Sequence, residues 1–249
     1  MHVVTRSAAI VATLFAPLAA AAQTAPSADE IIARHVTAIG GQDAVLRVKS
    51  IKNSGTLEMP SAGISATMES FSAPNRSFVR MTIPGIGDIK NGYDGTVAWE
   101  INPMKGPRIK TDKEKILAQE DADFYGSLLF SKERYQSTET IGAADFGGEQ
   151  TWQVKTVLKS GKTTNEFFSV ATGLRVGLSS AQESQSGIIN VITIESDYKK
   201  FGPIKLATRN EMITGAQKVV VTLTEVVLDA IMTDAFVLPE PVKALLIKQ

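Results

Sequence analysis

The stretch from Arg76 to Pro103 decides the fold. It reads R-S-F-V-R-M-T-I at 76–83, P-G-I-G-D-I-K-N-G-Y-D-G at 84–95 and T-V-A-W-E-I-N-P at 96–103. The two outer runs alternate between apolar and polar residues, and this period of two places successive side chains on opposite faces of a β-sheet. The middle run carries Pro-Gly, Asn-Gly and Asp-Gly pairs, which are typical of tight hairpin turns because Gly readily takes a positive φ. The stretch therefore predicts antiparallel strands joined by short turns.

The same alternation continues on both sides of this stretch, and about eleven strands are predicted between residues 50 and 228. Residues 102–112 are expected to form a Pro/Gly loop. Apolar residues at helical spacing predict helices over 28–39 and 113–135, with Gly126 dividing the second segment into two. A wide twisted sheet curls toward a barrel. The predicted fold class is therefore α+β and mainly antiparallel β: a curled, unclosed β-barrel of about eleven strands, with the helices plugging its concave face.

The composition restricts both the compartment and the partners. The chain has 249 residues, 26 Lys and Arg against 26 Asp and Glu, and no Cys. Zero net charge gives no field that favours nucleic acid, and the absence of Cys excludes disulfides and thiol chemistry. Residues 1–22 have one early positive charge, a short apolar run and a final Ala20-Ala21-Ala22, which predicts a signal peptide cleaved after Ala22. We expect residues 23–249 to form one domain, monomeric and exported to the periplasm.

The chemistry of known catalytic motifs is missing from residues 23–249. His35 is their one histidine and lies on the apolar side of a predicted helix, where a packed residue is expected. The acidic group Glu120, Asp121 and Asp123 lacks the spacing of a calcium loop and is interpreted as a solvated helix face. There is no G-x-S-x-G and no zinc motif. The sequence therefore predicts no metal site, no cofactor and no enzyme.

Residues 94–103, D-G-T-V-A-W-E-I-N-P, resemble the D-G-x-x-x-W-x-x-x-P signature of the LolA-type outer-membrane lipoprotein-sorting proteins. Pro74-Asn75 is similar to the P-N turn of that family, and residues 234–239 resemble its closing F-x-x-P segment. The resemblance implies an unclosed barrel with a helical lid that binds the acyl chains of a lipidated cargo in the periplasm. Ala73 stands where the family has a basic residue, so a free lipid or another hydrophobic molecule is an equally open cargo.

The function predicted is that of a non-catalytic carrier for acyl chains of lipoproteins or other lipids. The residues expected to line its cavity and lid are Val97, Trp99, Ile101, Leu117, Phe124, Leu128 and Leu129. Ordinary core packing is an equally good interpretation of the strand face that contains Trp99. Two alternatives remain open: an envelope interaction module that docks on a transporter or peptidase without cargo of its own, and a hydrolase that acts on a bound lipid.

Overall fold

The computed structural model describes residues 25–184, 187–231 and 234–247. The predicted signal peptide, residues 1–22, lies outside this part of the chain. Within the described part, no helix is both long enough and apolar enough to cross a membrane.

All strands in the described residues belong to one antiparallel sheet. They are β1 (Ile51–Met59), β2 (Ile64–Ala73), β3 (Arg76–Ile83), β4 (Gly87–Tyr93), β5 (Ala98–Asn102), β6 (Gly106–Ile109), β7 (Tyr135–Phe146), β8 (Glu149–Leu158), β9 (Thr163–Ser169), β10 (Arg175–Ser184), β11 (Gly187–Phe201), β12 (Ile204–Thr214) and β13 (Gln217–Leu228). Their spatial order is β6-β5-β4-β3-β2-β1-β13-β12-β11-β10-β9-β8-β7. The sheet is not closed, because β6 forms one edge and β7 the other. This confirms the predicted class, with thirteen strands in place of about eleven.

One strand occurs where the sequence predicted only a loop. β6 lies inside residues 102–112 and pairs with β5, so that Pro107 stands opposite Ile101. Proline cannot donate to a ladder, and it is tolerated here because β6 is an edge strand with one neighbour. β6 has only four residues, one of them proline, so the alternation of apolar and polar side chains is too short to indicate a strand.

Five α-helices accompany the sheet in the described residues: α1 (Ala28–Ala38), α2 (Gln42–Arg47), α3 (Asp112–Asp121), α4 (Phe124–Leu129) and α5 (Glu240–Leu246). α1 begins with a capping box, in which Ser27 Oγ accepts from the Glu30 N–H at 3.3 Å and the Glu30 carboxylate accepts from the Ser27 N–H at 2.8 Å. The buried side of α1 packs against β8 and β9. α2 and α4 pack against β1 and β12 in a second cluster around Val45, Ile51 and Ile204.

The segment that holds α3 and α4 connects the two edges of the sheet. β6 ends at Ile109 and β7 begins at Tyr135, and these two strands lie at opposite ends of the strand order. Residues 110–134 therefore pass across the open side of the curled sheet. This path places the helical segment where it can cover the space inside the sheet.

The predicted division of this segment at Gly126 is wrong. α3 ends at Asp121, α4 begins at Phe124, and Gly126 lies inside α4. Asp123 begins the second helix as its N-cap, because its carboxylate accepts a hydrogen bond from the Gly126 N–H at 3.0 Å. A Cβ on Gly126 would overlap that carboxylate. The glycine therefore permits the cap to approach and does not break the helix.

Candidate ligand-binding site

A cavity of about 250 Å³ lies between α1, α4 and strands from both halves of the sheet. Its apolar lining consists of Ile39, Ile51, Phe124, Leu128, Leu206 and Leu223. Charged and polar groups share the lining: an ionic group on β10 and β11, Asp121 of α3, Lys205 of β12, and the neutral Asn53, Ser72, Ser127 and Asn210. The cavity is therefore amphiphilic, with aliphatic side chains beside neutral amides and buried charges.

α4 forms one wall of this cavity and is held by a small number of polar contacts. The Tyr125 hydroxyl donates to the Val48 carbonyl at 2.9 Å, and Arg134 Nη1 lies 3.1 Å from the Asp123 carboxylate. Phe130 ends the helix in the left-handed conformation, with φ 51°. Six residues are too few for a helix that is stable by itself, so these contacts and the apolar packing of α4 hold it in place.

The ionic group of the cavity is centred on Arg175 of β10. Arg175 Nη2 lies 2.6 Å from Glu195 Oε1, its Nε lies 3.0 Å from Glu195 Oε2, and its Nη1 lies 3.1 Å from Glu166 Oε2. Burial lowers the pKa of Arg175, but the charges of Glu195 and Glu166 outweigh it and hold the pKa above its ordinary value. Thr164 donates to the remaining oxygen of Glu166 at 2.9 Å. Each carboxylate is thus paired and hydrogen-bonded.

Tyr198 of β11 completes this group. Its hydroxyl lies 2.8 Å from the Arg175 carbonyl and 3.1 Å from Glu195 Oε2. Burial, together with the charge of Glu195, raises the pKa of Tyr198 above its ordinary value. The phenol therefore stays protonated and serves as a hydrogen-bond donor inside the cavity.

His35 of α1 packs beside the ionic group as an uncharged side chain. Its ring makes edge contacts with Phe168 and Phe130 at centroid distances of 5.3 and 5.7 Å. The Arg175 backbone N–H donates to His35 Nδ1 at 3.2 Å. Burial, and then the charge of Arg175, lowers the pKa of His35 to about 3. His35 is therefore a neutral core residue at neutral pH.

Metal chemistry has no support in the described residues. Over the described ranges there is no group of three or more His, Cys, Asp or Glu side chains that could hold an ion. The carboxylates of Glu166 and Glu195 are engaged by Arg175, Thr164 and Tyr198, and the third carboxylate of the lining is that of Asp121. The arrangement suits non-covalent binding of an amphiphile.

Comparison with known proteins gives structural likeness without sequence likeness. Neither the protein-family models nor the curated proteins gave a match to the sequence. Among solved structures, a DUF1329 family protein from Desulfovibrio piger superposes with a TM-score of 0.58 at 11% identity, over 84% of this chain and 96% of that one. A LolA superfamily protein from Nitrosomonas europaea superposes with a TM-score of 0.56 at 13% identity, over 86% and 99%. The chain therefore has the same fold as these two proteins, one of which is a LolA superfamily protein.

A third structure extends this likeness to a lipoprotein-sorting protein. A putative outer membrane lipoprotein-sorting protein domain from Vibrio parahaemolyticus has a TM-score of 0.54 at 11% identity, over 83% of this chain and 94% of that one. Nearly the whole length of each of the three proteins is matched, together with more than four-fifths of this chain. At these identities the likeness establishes the fold.

The LolA-like sheet places the seven predicted residues in different surroundings. Phe124 and Leu128 line the cavity. Leu129 lines a neighbouring groove of about 830 Å³ between α1, the end of α4 and β7. Leu117 of α3 is 45% exposed and lines neither space. α4 rather than α3 therefore supplies the apolar wall.

Trp99 lies on the face of the sheet opposite to the cavity. On β5, Ala98 faces α3, where it packs with Tyr93 and Ala122. Residues that are directly paired on neighbouring strands lie on the same face of the sheet. Ile51 pairs with Ser72, Ser72 with Ser77, Ser77 with Tyr93, and Tyr93 with Ala98. Tyr93 and Ala98 therefore share their face with the cavity residue Ile51. Trp99 follows Ala98 in a strand and so points the other way.

Val97 precedes β5 and Ile101 lies within it, and neither of them lines the cavity. Trp99 is 2% exposed, with its ring 6.0 Å from that of Phe78 and directly over Gly92, where a Cβ would approach the ring to 2.5 Å. These contacts are those of a packed core residue, which was the open alternative for the Trp99 face. The sheet side of the cavity, opposite α4, is formed instead by β1, β2 and β10–β13.

The ionic group was not found in the sequence, because two of its members do not follow strand alternation. Glu195 and Tyr198 are three residues apart, and a regular strand would place them on opposite faces. Asp197 lies between them with φ 55°, a left-handed conformation that aspartate tolerates. On β10, the register with β9 shifts between Arg175 and Gly177. The sequence offers one signal of this ionic group: each of three neighbouring apolar runs contains a charged residue.

Proposed function

We propose that this chain is a non-catalytic carrier that binds the acyl chain of a lipid or lipoprotein between α4 and the sheet. We place this activity in the periplasm, after removal of residues 1–22. The observation that carries the proposal is the path of residues 110–134 from one edge of the open sheet to the other, with Phe124 and Leu128 turned into the cavity. The LolA-like fold supports it, since a putative lipoprotein-sorting domain has the same architecture.

The energetics favour movement of α4 over opening of the sheet. α4 is six residues long, whereas each strand of the wall is paired on both sides. Short elements with few contacts have low local stability. An acyl chain that displaced α4 would take its place in the apolar cluster with Ile51 and Leu206. Burial of apolar surface contributes about 25 cal/mol per Å², so a long chain gains several kcal/mol more than a short one.

The direct test is a binding titration with a reporter beside α4. The chain has no cysteine, so Lys132→Cys, three residues beyond α4 and exposed, accepts a single environment-sensitive fluorophore. A long-chain fatty acid should change its emission saturably, and a short-chain acid should not. If neither acid changes the emission, the carrier proposal is rejected.

Leu128→Asp should weaken long-chain binding by about tenfold or more while leaving the protein folded. A carboxylate in the cavity must be desolvated or must pull α4 into water, and either cost opposes a closed, loaded state. Leu117→Asp is the matched control, since Leu117 lies on the exposed side of α3. Circular dichroism monitors folding, and the fluorophore attached through Lys132→Cys monitors binding. Global unfolding of Leu128→Asp, or equal binding by the two variants, would show that α4 is an ordinary part of the core and would contradict the proposal.

A further inference from the structure

Several hairpin turns lie together at one end of the sheet. All neighbouring strands are antiparallel, so alternate turns along the chain reach the same end. We call this end the rim and define it by the turns 59–64, 83–87, 102–106 and 214–217, together with the end of β10 and the beginning of β11. The turn 158–163 reaches the same end but is left out of the definition, because it packs beside the acidic residues Glu120 and Asp123.

The rim presents large apolar side chains to solvent. Met104 is 82% exposed in the β5–β6 turn, Ile188 is 77% exposed at the beginning of β11, and Ile86 is 43% exposed in the β3–β4 turn. The turns at the opposite end of the sheet, 73–76, 93–98, 146–149, 169–175 and 201–204, contain none of the exposed large apolar side chains of the described residues. The others lie on helices, inside strands or after β13. Single exposed apolar residues are common, but a group at one end of a sheet is typical of an interaction surface.

The rim carries little charge. Among its described residues, Lys105 is the only charged one. The charged residues that directly flank the rim in the sequence are Glu58, Asp88, Glu183 and Lys218. Three acidic residues against two lysines do not form a basic patch. The rim is therefore suited to an apolar partner rather than to an anionic one.

The backbone of the exposed turns is held by hydrogen bonds. The Asn102 side-chain oxygen accepts from the Met104 N–H at 2.9 Å, and the Asn102 carbonyl accepts from the Lys105 N–H at 3.2 Å. In the β3–β4 turn, the Ile83 carbonyl accepts from the Ile86 N–H at 3.1 Å. A backbone whose polar groups are paired enters an apolar environment at lower cost than an unpaired one. These turns therefore present Met104 and Ile86 on closed, ordered tips.

Apolar residues also connect the rim to the cavity. Gly55 of β1 pairs directly with the cavity residue Leu223 on one side and with Met68 on the other, so all three lie on the cavity face of the sheet. Met68 pairs with Met81, and Met81 pairs with Ile89. The next row toward the rim contains Leu57, Ala66 and Val221. Methionine side chains adapt their shape to apolar ligands, so this face offers hydrocarbon a continuous path.

We propose that the rim docks on the surface of a lipid bilayer by inserting Met104, Ile188 and Ile86 among the lipids, and that the cargo passes between this bilayer and the cavity along the apolar face. This inference rests on the proposed carrier function and names the donor or acceptor of its cargo. Insertion of apolar side chains by a rim without a basic patch requires no anionic lipid and resists salt.

Vesicles of phosphatidylcholine test the docking. Met104→Cys and Thr96→Cys are each labelled with the same environment-sensitive fluorophore, and Thr96 is the matched control because it is exposed in a turn at the opposite end. The emission should shift saturably at position 104, at low and at high salt, and should not change at position 96. In co-sedimentation of the unlabelled proteins, Ile188→Ser should weaken vesicle binding by about tenfold. Ile141→Ser, at an exposed position in the middle of β7, should bind as the unchanged protein does.

Equal shifts at the two labelled positions, or none at either, would overturn the inference. Binding that requires phosphatidylglycerol and is lost at high salt would also overturn it, because electrostatic attraction would then replace apolar insertion. Both results would leave the carrier function standing, since the fatty-acid titration with the fluorophore at Lys132→Cys contains no bilayer. Absence of any fatty-acid response in that titration would reject the carrier function, and the inference with it.

Discussion

Replacement of Arg175 by methionine is expected to lower the free energy of unfolding by about 3–5 kcal/mol. Arg175 is the common partner of Glu195 and Glu166, and Glu166 is 4% exposed. Without the guanidinium, two carboxylates remain in the core with a tyrosine and a threonine hydroxyl as partners. Removing one member of a buried ion pair costs far more than the pair contributes, because the uncompensated charge stays buried.

Urea denaturation measures this loss, and Arg80→Met is the matched control. Arg80 forms an ion pair with Glu69 on a more exposed part of the sheet, where the side chains are 42% and 31% exposed, so its replacement should cost about 1 kcal/mol or less. Replacing Arg175, Glu166 and Glu195 together by apolar residues should recover most of the lost stability. If Arg175→Met and Arg80→Met lose the same free energy, the group is not a buried, coupled unit.

His35 should make the folded state less stable as the pH falls below about 6.5. Its pKa is 6.5 as an ordinary value and about 3 in the folded protein. Between these values the unfolded chain binds a proton that the folded protein does not, so acidification favours unfolding. Each pH unit in this window costs about 1.4 kcal/mol, which amounts to about 2–3 kcal/mol by about pH 4.5. Above pH 6.5 both states hold a neutral ring and the contribution is constant.

Comparison with His35→Gln isolates this contribution from the carboxylates that also titrate in acid. The glutamine amide oxygen can accept the Arg175 N–H in place of Nδ1, so the contact at 3.2 Å has a replacement. The stability advantage of the unchanged protein over the variant should shrink steadily between about pH 6.5 and about pH 4.5. Parallel stability curves over this range would show that burial does not depress the pKa of His35.

The sheet was predictable from local sequence because its turns and alternation are local. The Gly pairs near residues 84–95 and the runs on both sides of them correspond to β3, β4 and β5. The face of Trp99 was not predictable in the same way. Alternation states which residues share a face, but Ala98 and Trp99 are both buried, so both faces of β5 are covered. α5, which packs against β6, was not predicted, and its first turn contains Pro241.

The cavity was predictable only in part, since it depends on contacts between distant strands. Phe124 and Leu128 were recognised because apolar residues recur at helical spacing. Arg175, Glu195 and Asn53 come together through the order of β1 and β10–β13, which places residues far apart in the chain side by side. The positive φ of Asp197 then turns Glu195 and Tyr198 toward one another. A single sequence carries no local signal for this combination of register and conformation.

The central claim, that an acyl chain binds beneath α4, is tested most directly by mass spectrometry of organic extracts from protein purified out of the periplasm. The account predicts that lipids with long acyl chains co-purify with the unchanged protein and with Leu117→Asp, and that they are strongly depleted from Leu128→Asp. A preparation that retains a protein partner but yields no acyl lipid from any of the three proteins would contradict the account and favour an interaction module.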